Sequence, residues 1–126
     1  MTTSDKTLLE LAAKAADYGF VYKRKISDDA HEWTSPDGML WQWNPLIDDG
    51  QALRLAVKLK MEVYHSNDEG GAVYASYVKP NSAIAYCVEY YDDLSHKGDP
   101  YAATRRAIVR AAAQVALASK EIGKTL

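Results

Sequence analysis

Asp48 and Asp49 stand side by side shortly after Asn44, a set of oxygen donors of the kind that holds Mg²⁺ or Ca²⁺. The same spacing serves a helix start, where one carboxylate accepts from the free backbone N–H groups of the first turn, and capping is the simpler reading. Tyr90-Tyr91-Asp92-Asp93 echoes the Y-x-D-D carboxylate turn of reverse transcriptases. A polymerase needs a further carboxylate and a far longer chain to place template and primer, so these residues read as a strand ending in an acidic loop. His31, His65 and His96 never recur at the i, i+4 spacing of a helical zinc site, and are expected to be exposed or locally bonded. Cys87 lies between Tyr86 and Val88 with no basic neighbour to lower its pKa, which marks a buried structural thiol rather than a nucleophile. No G-x-S-x-G elbow, G-x-G-x-x-G turn or phosphate-binding loop occurs. The expectation is no catalytic centre, no cofactor and no metal.

The remaining chemistry is that of recognition. Nine tyrosines stand against one phenylalanine, together with Trp33, Trp41 and Trp43. Such rings supply contact area at low entropy cost. Trp41 and Trp43 share a parity and are expected on one strand face. Arg105, Arg106 and Arg110 follow Asp99-Pro100 in what reads as the first turns of a helix. There Arg105 and Arg106 would fold over an anion at the helix N-terminus, with Tyr101, four residues before Arg105, stacking on a base. The competing reading is that Asp99 satisfies those N–H groups, while the arginines solvate the surface or pair with Asp48, Asp49 or Glu121. The candidate binding residues are therefore Trp41, Trp43, Asp48, Asp49, Tyr101, Arg105 and Arg106.

Composition bounds what can position them. With 126 residues, 48% hydrophobic and 25% charged, the chain is a single ordinary globular domain. Fifteen Lys+Arg against 17 Asp+Glu give a net charge of −2, which argues against broad nucleic-acid binding. One cysteine excludes an internal disulfide. No apolar run reaches a membrane span, and the polar N-terminus has no signal-peptide core, so a cytoplasmic setting without membrane association is expected.

The periodicity predicts a helix over Ser4–Asp17 with Leu8, Leu11, Ala12 and Ala15 inward, closed by Gly19. Phe20–Ile26 reads as an edge strand with three basic residues. A second strand begins near Trp33 or after the turn Ser35-Pro36-Asp37-Gly38, covering Met39–Trp43. A helix over Gly50–Lys60, with Leu53, Ala56 and Val57 as its stripe and Leu55 and Leu59 beside it, precedes three strands at Met61–Ser66, Ala72–Lys79 and Ala83–Tyr91. Short turns at 67–71 and 80–82 make these an antiparallel meander. Asp99-Pro100 opens a last helix that buries Ile108, Ala111, Val115 and Ile122 and stops at Gly123. The order α-β-β-α-β-β-β-α predicts an α+β fold, with helices packed on one antiparallel sheet of four or five strands.

Two stretches also resemble a known family. Trp43-Asn44-Pro45-Leu46-Ile47-Asp48-Asp49-Gly50-Gln51-Ala52-Leu53-Arg54-Leu55-Ala56-Val57-Lys58-Leu59 is similar to the W-N-P-L-x-D-D-G-x-A-L-x-L-A-V-K-L segment of the phage ABA sandwich domain family. Asp99–Ala113 resembles its closing helix, and Leu8–Ala16 its opening helix. The resemblance implies a small bacteriophage or prophage protein in the host cytoplasm, with a sheet between helical layers (an α/β/α sandwich). It implies no known activity. By analogy with that origin, the expected function is a non-catalytic accessory protein that works by binding. It would inhibit a bacterial defence system by masking a host protein or sequestering a small anionic, nucleotide-like signal. The alternatives are a structural or packaging accessory and a small metal-dependent hydrolase. The abundance of rings on the strands makes a homodimer the expected assembly.

Overall fold

Ser4 turns the chain into its first helix: its hydroxyl accepts from the Thr7 N–H at 3.2 Å, and Asp5 sits in the first turn, where the helix dipole favours a negative charge. The computed structural model describes residues 4–67, 70–79, 81–93 and 96–125, with the backbone alone for 119–125. The elements are α1 (Asp5–Ala15), β1 (Val21–Ser27), β2 (Ala30–Thr34), β3 (Leu40–Gln42), α2 (Asp49–Lys58), β4 (Glu62–Ser66), β5 (Ala72–Val78), β6 (Ile84–Tyr90) and α3 (Pro100–Thr125). The fold is α+β, with three helices and two three-stranded antiparallel sheets, ordered β1-β2-β3 and β4-β5-β6. The single sheet of four or five strands expected from the sequence is therefore corrected to two smaller sheets.

The strand that the sequence did not separate is β2. Its His31, Glu32 and Trp33 are all buried, so the alternation that announces a half-exposed strand is absent there. A turn over Ser35–Gly38, closed by Gly38 N–H to Ser35 C=O at 2.9 Å, leads into β3. There Trp33 pairs with Trp41. The chain leaves the sheet after Gln42, so Trp41 and Trp43 do not share a strand face as expected. Trp41 is half-exposed, whereas Trp43 is buried and its carbonyl accepts from Trp33 Nε1 at 2.9 Å. Trp33 and Trp43 meet edge to face at 5.5 Å, flanked by Tyr18, Phe20 and Tyr22, a geometry that aromatic quadrupoles favour.

Helix α1 is rotated from its expected stripe. Leu8, Leu9, Ala12 and Ala13 are buried while Leu11 and Ala15 are only partly so, because α1 packs against α3 and also places Lys6 over the Tyr22 ring of β1. Asp17, at φ 58°, leaves the helix before Gly19 is reached. Gly19 instead makes room for a neighbour. At φ +70° it lies against Pro36, and a Cβ would sit 2.7 Å from that ring.

The second sheet is the meander expected from its hairpins, although Asp68, Glu69 and Pro80 of its turns lie outside the described residues. Val73, Ala75, Tyr77 and Cys87 point to one face and pack under α3. Ala103, Ala107, Ala111, Ala112 and Ala113 let α3 come close, with Ile108 and Val109 filling the space and Val115 partly buried. The helix runs through Gly123 to Thr125 rather than stopping at Gly123, since a glycine inside a helix costs only about 1 kcal/mol. The side chains of Glu121 and Ile122 lie outside the described residues. One continuous core joins all three helices to both sheets. Among the described residues no helix covers the opposite face of the second sheet, where Tyr64, Ile84 and Tyr86 stand exposed, so this sheet does not lie between two helical layers as expected. Among the described residues no helix is long and apolar enough to cross a membrane.

Candidate functional site

The connector before α2 is built around Asn44, which is buried. Its Oδ1 accepts from Leu46 N–H at 3.0 Å and its Nδ2 donates to the Asp29 carbonyl at 3.2 Å. Its own N–H donates to Gln51 Oε1 at 2.7 Å. Pro45 is fully buried beside it. Asp48 is the cap of α2, accepting from Gln51 N–H at 2.8 Å, and Asp49 begins the helix. The neighbouring aspartates thus play separate parts. Among the described residues no three His, Cys, Asp or Glu side chains converge on one point as a metal site would require.

Asp99 caps α3 in the same way. Its Oδ1 accepts from Tyr101 N–H at 2.9 Å and Ala102 N–H at 3.2 Å, so the chain's own carboxylate occupies the place where an external anion would bind. The arginines of the first turns are pinned to different elements. Arg105 donates through Nε to the Leu46 carbonyl at 2.7 Å and through an NH₂ group to Asp49 Oδ1 at 2.7 Å. Arg106 reaches Asp5 of α1 at 3.3 Å. The pair expected to fold together over one ligand is therefore split, because residues adjacent on a helix point about 100° apart. Arg110, expected to solvate the surface or pair with Asp48, Asp49 or Glu121, is bound to Glu89 and to the Val88 carbonyl.

What the structure does bring together is Asp49, Tyr101 and Arg105, on the rim of a cleft of about 480 Å³ between α2, β4 and the start of α3. Ala52, Ala56, Val63 and Ile108 form its apolar floor. Leu53 stands on one lip and Tyr101 on the other, 63% and 69% exposed. Val57, one turn beyond Leu53, is 68% exposed. This corrects the expected stripe of α2: Ala52, Leu55 and Ala56 face the core, while Leu53 and Val57 face out. The sequence carried the signal as an i, i+4 pair of large apolar residues in excess of one buried face. His65 lines the far side of the cleft and shares a hydrogen bond between its Nδ1 and the Tyr91 hydroxyl. Trp41, Trp43, Asp48 and Arg106 do not line this cleft.

Outside the cleft, Glu89 is buried between His96, whose Nε2 lies 2.6 Å from Glu89 Oε1, and the Arg110 guanidinium. Burial pushes the neighbouring Cys87 thiol above its ordinary value, which leaves it protonated and unreactive at neutral pH. His31 is buried too, with its Nδ1 3.1 Å from the Tyr22 hydroxyl; burial, then the charge of Lys25, hold its pKa below the ordinary 6.5.

Comparison of the chain with protein families, with curated proteins and with solved structures finds no match. Arg105 ties residues 43–59 to residues 99–113 through Leu46 and Asp49.

Proposed function

We propose that this chain is a non-catalytic accessory protein of bacteriophage origin, which works in the host cytoplasm by binding a partner protein through the cleft between α2 and α3. The origin is supported by the sequence resemblance at residues 43–59 and 99–113. The binding mode is supported by one observation above the others: Leu53 and Tyr101 stand exposed around an apolar floor, with Val57 exposed one turn beyond Leu53, while the charges on its rim, Asp49 and Arg105, neutralise each other. Such a surface suits an apolar side chain from a partner helix or loop, with the arginine–aspartate pair setting polar register. It suits a nucleotide-like signal poorly, because Arg105 already has two acceptors and the N–H groups at the start of α3 already have Asp99. Inhibition of a bacterial defence protein by masking is the role such a surface would serve.

The test is a pull-down from host lysate with three proteins: wild type, a Leu53→Asp/Val57→Asp double variant, and a Lys23→Ala control on β1. A protein held by wild type and control and released by the double variant supports the cleft. A partner retained by the double variant refutes it. Metal-dependent hydrolysis by the wild type that is abolished in Asp48→Ala would replace the whole reading with an enzymatic one.

A further inference from the structure

Among the described residues, the second sheet has helices on one side only. Strand parity and register place Glu62, Tyr64 and Ser66 of β4, Ala72, Tyr74, Ser76 and Val78 of β5, and Ile84, Tyr86, Val88 and Tyr90 of β6 on the other side. The rings form a continuous band. Tyr64 stacks on Tyr74 at 4.9 Å with 7° between planes, and Tyr86 meets Tyr74 at 5.5 Å. From this face we infer that the protein forms a two-fold symmetric homodimer, in which the tyrosine-bearing faces of two copies pack against each other.

Area and charge argue for a second copy. Tyr64, Val78, Ile84, Tyr86 and Tyr90 are between 42% and 74% exposed. Three of these five are aromatic, each able to bury roughly 150–250 Å² in full, and at these partial exposures the five together offer on the order of 500 Å² per copy. Two copies then bury roughly 1,000 Å², the size at which a specific interface begins. A patch of this size is also at the upper end of what a monomer normally leaves in water. Among the described strand residues, Glu62 is the one charged residue on this face and no Lys or Arg stands on it, so apposing it on itself buries little like charge. The same lack of cations disfavours single-stranded nucleic acid, for which stacking on rings works together with neutralised phosphates. Two sheets facing each other at about 10 Å is an ordinary aligned packing, and the central strand β5 would lie closest to the two-fold axis.

Analytical ultracentrifugation of the full chain, from micromolar to near-millimolar, is expected to give twice the 14.0 kDa chain mass. An Ile84→Lys/Tyr86→Lys variant is expected to sediment as a 14.0 kDa monomer with an unchanged circular-dichroism spectrum. A wild type that stays monomeric throughout the range overturns the proposal, as does a folded variant that still dimerises. So does a monomeric wild type that binds single-stranded RNA and loses it in the variant. Should the variant fail to fold, Ser76→Cys decides. The natural Cys87 is buried, so a short bismaleimide should link two copies through position 76, and a chain that remains unlinked overturns the proposal.

Discussion

Arg105 of α3 holds Asp49 of α2 at 2.7 Å across a separation of 56 residues, and its Nε holds the Leu46 carbonyl at the same distance. The two bonds differ in kind. The Leu46 carbonyl belongs to a folded connector, while the Asp49 side chain is 74% exposed and its ion pair is open to screening by water. Arg105 is thus mainly a clamp on the connector that sets the distance between the two helices of the cleft.

Arg105→Ala should therefore destabilise the fold by about 1.5–3 kcal/mol, the range for a charge-assisted hydrogen bond. Asp49→Ala should cost less than about 1 kcal/mol, as exposed ion pairs do. Urea denaturation of both variants checks the order. Equal losses would show that the carbonyl bond carries no special weight.

Glu89 is the buried anion of a polar group that joins β6 to α3, between His96 and Arg110. Glu89→Ala leaves buried His96 without its acceptor, while the half-exposed Arg110 keeps the Val88 carbonyl, and should cost about 1–3 kcal/mol. Glu89→Gln keeps an acceptor oxygen in place and should cost markedly less. Thermal unfolding of the two variants tests this, and comparable melting temperatures would refute it.

His31 gives the fold a pH dependence of known sign. Its folded-state pKa is depressed, first by burial and then by Lys25, so the unfolded chain takes up the proton more readily. Its stabilising contribution is complete above the ordinary value of 6.5 and declines as the pH falls below that value towards the lower folded one. His31→Gln should flatten the decline relative to wild type in denaturation curves between neutral and mildly acid pH. An unaltered slope would count against it.

Gly71 sits at φ +104° beneath the Tyr91 ring, and a Cβ there would come within 2.3 Å of that ring. Gly71→Ala should destabilise by about 1–3 kcal/mol through strain, and should displace Tyr91 from His65 on the rim of the cleft. Tyrosine and histidine NMR shifts, read beside the unfolding midpoint, test both parts.

Local chemistry made the helix starts legible. Ser4, Asp48 and Asp99 each offer an oxygen to N–H groups two or three residues ahead, an interaction that needs no distant partner. The meander of β4, β5 and β6 was legible because each hairpin closes on its sequence neighbour. The buried nature of Cys87 followed from its apolar strand. Other features depend on what meets in space. His31, Glu32 and Trp33 are buried on both sides, which removes the alternation that would have marked β2. Helix α2 has enough apolar residues for two stripes, and its packing against α3 decides that Leu55 goes in while Leu53 and Val57 stay out. The partners of Arg105 and Arg106 lie 56 and 101 residues away, distances over which side-chain spacing carries no information. Capping and hairpin closure are local and can be read along the chain; which stripe is covered, and which charge is already paired, is decided only when the helices dock.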